Sequence, residues 1–162
     1  MKLTRLNRGA MKPKWKTDPG DEPFLKVLRP LVETYFAFLL KSGRHIRLLG
    51  LTPSQFDVIV TLGDTEGMTC KELSEKTLVT KGTLTGVLDR LEIKGLVERV
   101  ASRSDRRCII IRLTPRGDDL FRKVFPDHIY YMKPYFEKAL DVTGIEKLRE
   151  MLLKLKQSLE EG

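Results

Sequence analysis

The sequence predicts a mainly α-helical protein with a small β-hairpin, and three observations along its 162 residues carry that prediction. Apolar residues recur at helical spacing, as in Leu84, Val87, Leu88 and Leu91 at i, i+3, i+4 and i+7. Helix-start signals precede such runs at Thr52-Pro-Ser-Gln55, Thr69-Cys-Lys-Glu72, Thr114-Pro115 and Thr143-Gly-Ile-Glu146. Two short stretches, 96–100 and 108–113, instead have the length and β-branched content of strands.

Residues 1–21 mix Lys and Arg with Gly and Pro and lack regular apolar spacing, which predicts a flexible basic N-terminal arm ahead of one domain over 22–160. Such an arm adds phosphate contacts or stays a solvated tail. Trp15, between Lys14 and Lys16, is its one residue suited to docking on a partner. Residues 23–49 carry Phe24, Val27, Leu28, Leu31, Val32, Tyr35, Phe36, Phe38, Leu39 and Leu40, a helix apolar round most of its circumference. It needs cover on more than one side. Pro30 is expected to kink or restart it, and Gly50-Leu51 ends it.

Thr52 caps the next helix, with Pro53 at its first position and Gln55 completing a capping box; Phe56, Val58, Ile59 and Leu62 face inward. After a loop at Glu66-Gly-Met68, Thr69 and Glu72 form a second capping box that starts a short helix over about 70–76. Leu78-Val79-Thr80 is a turn ending in an N-cap, and a further helix runs from Lys81 to about Lys94, where Gly95 stops it. The strands at 96–100 and 108–113 flank a basic turn. Thr114-Pro115 opens a long helix towards Leu140, expected to break near Pro126 and to be strained near Pro134. Thr143 to Glu146 then reads as a capping box for a last helix. In it Ile145, Leu148, Leu152, Leu155 and Leu159 follow at spacings of three and four, a coiled-coil-like seam.

Two helices joined by so tight a turn make a helix-turn-helix over about 69–94, and a hairpin directly behind it, over about 96–113, is a wing. The residues themselves resemble one family. Lys81-Gly-Thr-Leu-Thr-Gly-Val-Leu-Asp-Arg-Leu-Glu92, Gly95-Leu-Val-Glu-Arg99, Asp105-Arg-Arg107 and Leu113-Thr-Pro-Arg-Gly117 together resemble the MarR-type transcriptional regulators. The resemblance spans nearly the whole chain, and Asp-Arg-Arg followed by Leu-Thr-Pro is its most specific part. It implies a winged helix-turn-helix plus a helical dimerisation subdomain from the helices at 23–49 and 115–160. Phe24, Leu28, Leu31, Ile145, Leu148, Leu152, Leu155 and Leu159 are the candidate dimer contacts. The seam in the last helix also reads as packing within one chain, but apolar helices at both ends favour dimerisation.

Thirty Lys and Arg against 22 Asp and Glu leave a net charge of +8, which suits a polyanionic partner and equally suits plain solubility. On the helix from Lys81, the face opposite the leucines carries Gly82, Gly86, Asp89 and Arg90, flanked by Thr83 and Thr85. Each glycine costs about 1 kcal/mol relative to alanine in a helix interior. Close approach of that backbone to a major-groove wall offsets the cost, with Thr83 and Thr85 reaching phosphates, base edges or thymine methyls. The other reading is a weak helix held by its core face. Thr80 and Lys81 stand at the helix N-terminus, where amides and dipole suit a phosphate. Arg90 reaches the DNA backbone or pairs with Asp89 or a nearby Glu. In the family, position 86 often carries a long polar or basic side chain, and Gly86 departs from that pattern.

The hairpin tip holds three arginines within five residues: Arg103, Ser104, Asp105, Arg106 and Arg107. A narrow minor groove attracts an inserted Arg. The resemblance assigns that insertion to Arg107, with Asp105 orienting it or tying the wing to the recognition helix and Arg103 and Arg106 on phosphates. A soluble charged turn is the alternative. A two-fold dimer would set two recognition helices about 34 Å apart on a pseudo-palindromic double-stranded DNA site.

Family members commonly bind small aromatic or phenolic ligands between the subdomains, so a small aromatic or anionic effector is expected near Tyr35, Arg44, His45, Arg47 and Phe56; a solvated helix end also explains these residues. Cys70 and Cys108 are too few and too far apart for a disulfide scaffold or zinc site. Cys70 begins a helix, where a thiolate is favoured, but the family's peroxide sensors carry their cysteine near the first helix, and no Cys lies there. No cofactor or metal is expected. The longest apolar run, 35–40, is far too short to cross a bilayer, and the N-terminus lacks a signal-type apolar segment, so the chain is expected in the cytoplasm without membrane contact. No nucleophile elbow, phosphate loop or metal-spaced His or Cys supports an enzyme. The expectation is a ligand-responsive, homodimeric DNA-binding repressor; the alternative is an architectural winged-helix protein without strong sequence preference.

Overall fold

Polar caps decide where the helices begin. The computed structural model describes residues 19–102 and 108–161. After a 3₁₀ turn at Pro19–Asp21 come α1 (Leu25–Leu48), α2 (Pro53–Leu62), β1 (Met68–Thr69), α3 (Cys70–Lys76), α4 (Lys81–Ile93), β2 (Val97–Ala101), β3 (Ile109–Leu113), α5 (Pro115–Glu137) and α6 (Val142–Glu160). Thr52 and Thr69 each accept the amide three residues on, while Gln55 and Glu72 reach back to the cap's own amide. Two of the three expected capping boxes are therefore present. The Thr69 amide and hydroxyl hold the Glu72 carboxyl below the usual carboxylate range.

The last helix begins otherwise than expected. Its cap is Asp141, whose Oδ1 accepts the Gly144 amide at 2.7 Å, so Thr143 lies inside the first turn. A charged acceptor at the positive end of a helix outcompetes a hydroxyl two residues later. The interruption expected near Pro126 does not occur: α5 runs unbroken through Pro126 and Pro134, as α1 runs unbroken through Pro30. All three are exposed, as are Lys26, Arg122 and Tyr130, four residues before them. Water therefore takes the carbonyls that each proline leaves without an amide. Phe121, Val124, His128 and Met132 meanwhile keep one face of α5 buried.

The chain divides into two compact units, Met1–Leu39 and Leu40–Gly162. In the described part of the first, Phe24, Leu28, Val32 and Tyr35 are exposed along the first turns of α1, and Arg29 pairs with Glu33 at 2.7 Å. In the second, Val58, Ile59 and Leu62 of α2, Leu73 of α3, the inner face of α4, Ile111 of β3 and Val124 of α5 make one core. The sheet is antiparallel with order β1-β3-β2. Met68 pairs with Ile111 and Thr69 with Ile110, so the segment before α3 joins the hairpin through two residue pairs. No described helix is long and apolar enough to cross a membrane.

One junction joins hairpin and α5. The Thr114 amide donates to the Leu96 carbonyl at 3.1 Å, and its hydroxyl donates to the Gly95 carbonyl at 2.7 Å while accepting the Gly117 amide at 3.1 Å. Gly95 has φ +65°, the conformation that suits glycine after a helix. Gly117 allows the close approach, since a Cβ there would stand 2.0 Å from the Leu96 oxygen. The Leu-Thr-Pro-Arg-Gly run thus has a structural cause at two of its positions, Thr114 and Gly117. Gly117→Ala should lower stability by about 1–3 kcal/mol, because the obstruction is backbone and has nowhere to move; unchanged urea unfolding would contradict this.

Candidate nucleic-acid interface

Burial sorts the residues of α4 by face. Leu84, Val87, Leu88 and Leu91 are at most 1% exposed. Lys81, Gly82, Thr83, Thr85 and Arg90 are exposed, and Gly86 is half-buried. A Cβ at Gly82 would meet nothing within 4 Å, and one at Gly86 would meet only Arg90 Nη2 at 3.8 Å. Unlike Gly117, neither glycine is required by the packing of this chain.

The approach to α4 is pinned from behind. Val79 is buried, and the Leu78 amide donates to Asp57 Oδ2 on α2 at 2.7 Å. Burial raises the Asp57 carboxyl above its usual range, with the bond from Leu78 acting in the opposite sense. Thr80 is the N-cap of α4, yet makes no side-chain cap bond; its hydroxyl donates to Thr83 Oγ1 at 3.0 Å. The first amides of α4 thus keep their positive end without a side-chain acceptor, beside the exposed Lys81. That is an arrangement suited to a phosphate oxygen.

The wing is tied to α4 by Arg99. From β2 it donates to Asp89 Oδ1 at 2.6 Å and to Glu92, one helical turn apart on α4. The bond to Asp89 is the main cause that raises the guanidinium further above its ordinary value. Arg112 donates to Glu98 at 2.8 Å across β2 and β3. Pairing of Arg90 with Asp89, one of the two roles expected for it, is replaced by the Arg99 fork. Among the described residues Arg90 and Lys81 enter no ion pair, so their charge is available to a ligand. Arg103, Ser104, Asp105, Arg106 and Arg107 lie outside the described residues, between the ends of β2 and β3.

The remaining expected site residues are scattered. Tyr35 is exposed in the first unit against Phe36, with ring centroids 5.9 Å apart. Arg44 and Arg47 are exposed. His45 and Phe56 instead pack with His128 of α5. Of the expected dimer contacts, Leu31 is half-buried, and Phe24, Leu28, Ile145, Leu148, Leu152, Leu155 and Leu159 are exposed. Cys70 opens α3, and both cysteines are exposed. Among the described residues no three His, Cys, Asp or Glu converge as a metal site. Trp15 also lies outside the described residues.

Sequence reasoning missed Asp57, Arg99 and His128, whose partners stand 21, 10 and 83 residues away. Asp57 alone left a signal, as one carboxylate among the apolar residues of α2.

A capped helix pair with a pinned turn, followed by a hairpin locked to the second helix, is the architecture of winged helix-turn-helix DNA-binding proteins. Known proteins narrow the class. The sequence model of the MarR family matches residues 51–109. The chain is 34% identical over 131 residues to the HTH-type transcriptional regulator MhqR of Bacillus subtilis, covering 81% of this chain and 90% of that one. Among solved structures, AbsC, a MarR family transcriptional regulator from Streptomyces coelicolor, matches with a TM-score of 0.78 and 26% identity, over 93% of this chain and all of that one. Streptococcus pneumoniae FabT, solved in complex with DNA, matches with a TM-score of 0.67 and 25% identity, over 85% and 98%. The chain belongs to the MarR family: it is a DNA-binding transcriptional regulator rather than an enzyme.

Since neither outer glycine of α4 serves packing, Gly82→Ala and Gly86→Ala should each raise the stability of the free protein by up to about 1 kcal/mol. A lowered thermal midpoint in either variant would show that the fold itself needs that glycine.

Proposed function

We propose that the chain is a homodimeric repressor that reads a pseudo-palindromic operator, with α4 of each subunit in a major groove. The observation that carries the reading is the outward pair Gly82 and Gly86, an intrinsic helix cost that nothing among the described residues offsets. A groove wall against the helix backbone offsets it. Thr83 and Thr85 then meet base edges or thymine methyls, while Thr80, Lys81 and Arg90 meet phosphates. The arginines of the wing extend this reading by their charge. Arg107 is assigned to the flanking minor groove, Arg103 and Arg106 to phosphates, and Asp105 to orienting Arg107 or tying the wing to α4, with Ser104 beside it in the sequence. FabT, solved with DNA, supports DNA as the ligand of this architecture.

Dimerisation is supported by unspent apolar surface. Helix α6 buries none of its residues, and its seam from Ile145 to Leu159 is 37–74% exposed. In the first unit Phe24 and Leu28 are likewise exposed. Apolar stripes of that kind are stable in water only when covered, and a second copy presents the same stripe in return. Repression needs no contact beyond occupancy of the operator, which the proposed dimer supplies by itself. A chain that acts on chromosomal DNA works in the cytoplasm. For a small effector the exposed Arg44 and Arg47 leave an anionic group as the chemistry to be met, since His45 and Phe56 are engaged with α5.

Selection of genomic fragments by the purified protein should return an inverted repeat; equal affinity for all fragments at matched salt would support an architectural role instead. On the selected site, Arg107→Ala should weaken binding by roughly 1–3 kcal/mol with the dimer intact, and unchanged affinity would remove the wing from the account. Gly86→Ala should weaken binding while stabilising the free protein. Leu152→Glu should shift sedimentation from dimer towards monomer; a stable dimer would place the interface elsewhere.

A further inference from the structure

The chain contains two histidines, and the fold brings both into one contact. His45, near the C-terminal end of α1, and His128, in the middle of α5, face each other with their Nδ1 atoms 3.1 Å apart. The other ring nitrogen of His128, Nε2, stands 3.1 Å from Ser42 Oγ. Ser42 and His128 are buried. Phe56 of α2 meets the His128 ring edge-on at 4.8 Å, and Tyr131 stacks on His45 at 3.9 Å. Titratable neighbours come from α1 and α5. Lys41 lies over Tyr135 at 4.6 Å and over Tyr131 at 6.0 Å, and Asp127 precedes His128. From α2 the contact is Phe56, which does not titrate. Among the described residues no carboxylate hydrogen-bonds either ring.

Counting protons shows what such a contact does. A neutral imidazole has one N–H and one bare nitrogen, so two neutral rings hold two protons. Either His45 Nδ1–H donates to His128, whose Nε2–H donates to Ser42, or the Ser42 hydroxyl donates to Nε2 and His128 Nδ1–H donates to His45. In the first arrangement a third proton is accepted at His45 Nε2 with the contact intact. A fourth has no such place. It sets N–H against N–H and two positive rings 3.1 Å apart, without a carboxylate to balance them.

We propose that His45 and His128 form an acid-sensitive latch, closed while the rings share two or three protons and opened by the fourth, so that mild acid loosens α5 from α1 and α2 and weakens DNA binding. The elements it joins lead to both parts of the reading surface. Helix α2 carries Asp57, which holds the turn before α4, and α5 begins at the Thr114 junction with the wing. The DNA clause rests on the function proposed above; the latch does not. Burial first, then the neighbouring His45 ring, hold His128 below the ordinary imidazole range, with Asp127 acting in the opposite sense. The unfolded chain then takes up that proton more readily. Stability from this site is complete above the ordinary value of about 6.5 and is lost as pH falls from there towards the lower folded value. With no other imidazole in the chain, no second histidine site competes for a transition in this range.

The test uses full-length protein between about pH 7.5 and 5.5, following histidine Cε1 resonances, the thermal midpoint and affinity for the selected DNA. The wild type should show coupled titration of the two rings, a thermal midpoint lower by several degrees, and affinity reduced roughly tenfold, the scale of ordinary coupling between sites. His128→Gln should flatten both pH profiles, and His45→Gln, which removes the second charge but leaves His128 buried, should flatten them only in part. Independent titration of the rings, or variants that lose stability with acid as the wild type does, would overturn the latch. Coupled rings with pH-independent affinity would overturn its role in DNA binding. Absence of DNA binding at pH 7.5 would instead count against the functional reading, with ring titration and thermal midpoint still deciding the latch.

Discussion

Which face of α4 goes inward decides the rest. With Leu84, Val87, Leu88 and Leu91 all but fully buried, the helical repeat leaves no freedom about what remains outside: Gly82, Thr83, Gly86 and Arg90. A rotation of one residue would expose leucine to water and bury a threonine hydroxyl without a partner, two costs of the same sign. The outer face is therefore held as firmly as the core. Asp57 and Arg99 then fix the two ends, one through the turn before α4 and the other through the strand after it. The fork at Arg99 is partly exposed and adds little stability of its own. Its contribution is direction, because a hairpin tethered to the recognition helix moves with it.

Much of this was legible from short-range signals. The capping boxes at Thr52 and Thr69, and the stop at Gly95, act over three or four residues and need no tertiary partner to be read. The misreadings came from competition that spacing does not reveal. Asp141 and Thr143 were both able to start α6, and charge decided it. Pro126 is expected to interrupt α5, yet its exposure lets water satisfy what it removes, while the core holds the other side of the helix. The roles of Arg99 and His128 leave no short-range signal, and that of Asp57 only a lone carboxylate among apolar residues, because each acts through a partner on another element.

Two kinds of surface are left unsatisfied by the chain, and they call for different partners. The outer face of α4 is polar, glycine-bearing and cationic, which suits a polyanion that comes close to the backbone. The seam of α6 is apolar and unburied, which suits another protein surface of the same kind. The histidine contact joins α1 to α5 beside Phe56 of α2 and is polar. In the proposed function the first surface reads DNA, the second duplicates the reader, and the third makes the arrangement sensitive to protons.

Hydroxyl-radical cleavage of a selected operator fragment bound to the full-length protein tests the central claim most directly. If the outer face of α4 reads DNA twice, two protected blocks should appear on one face of the duplex, related by two-fold symmetry and centred about one helical turn, or a multiple of it, apart. A single block, or even protection along every fragment whatever its sequence, would contradict the account.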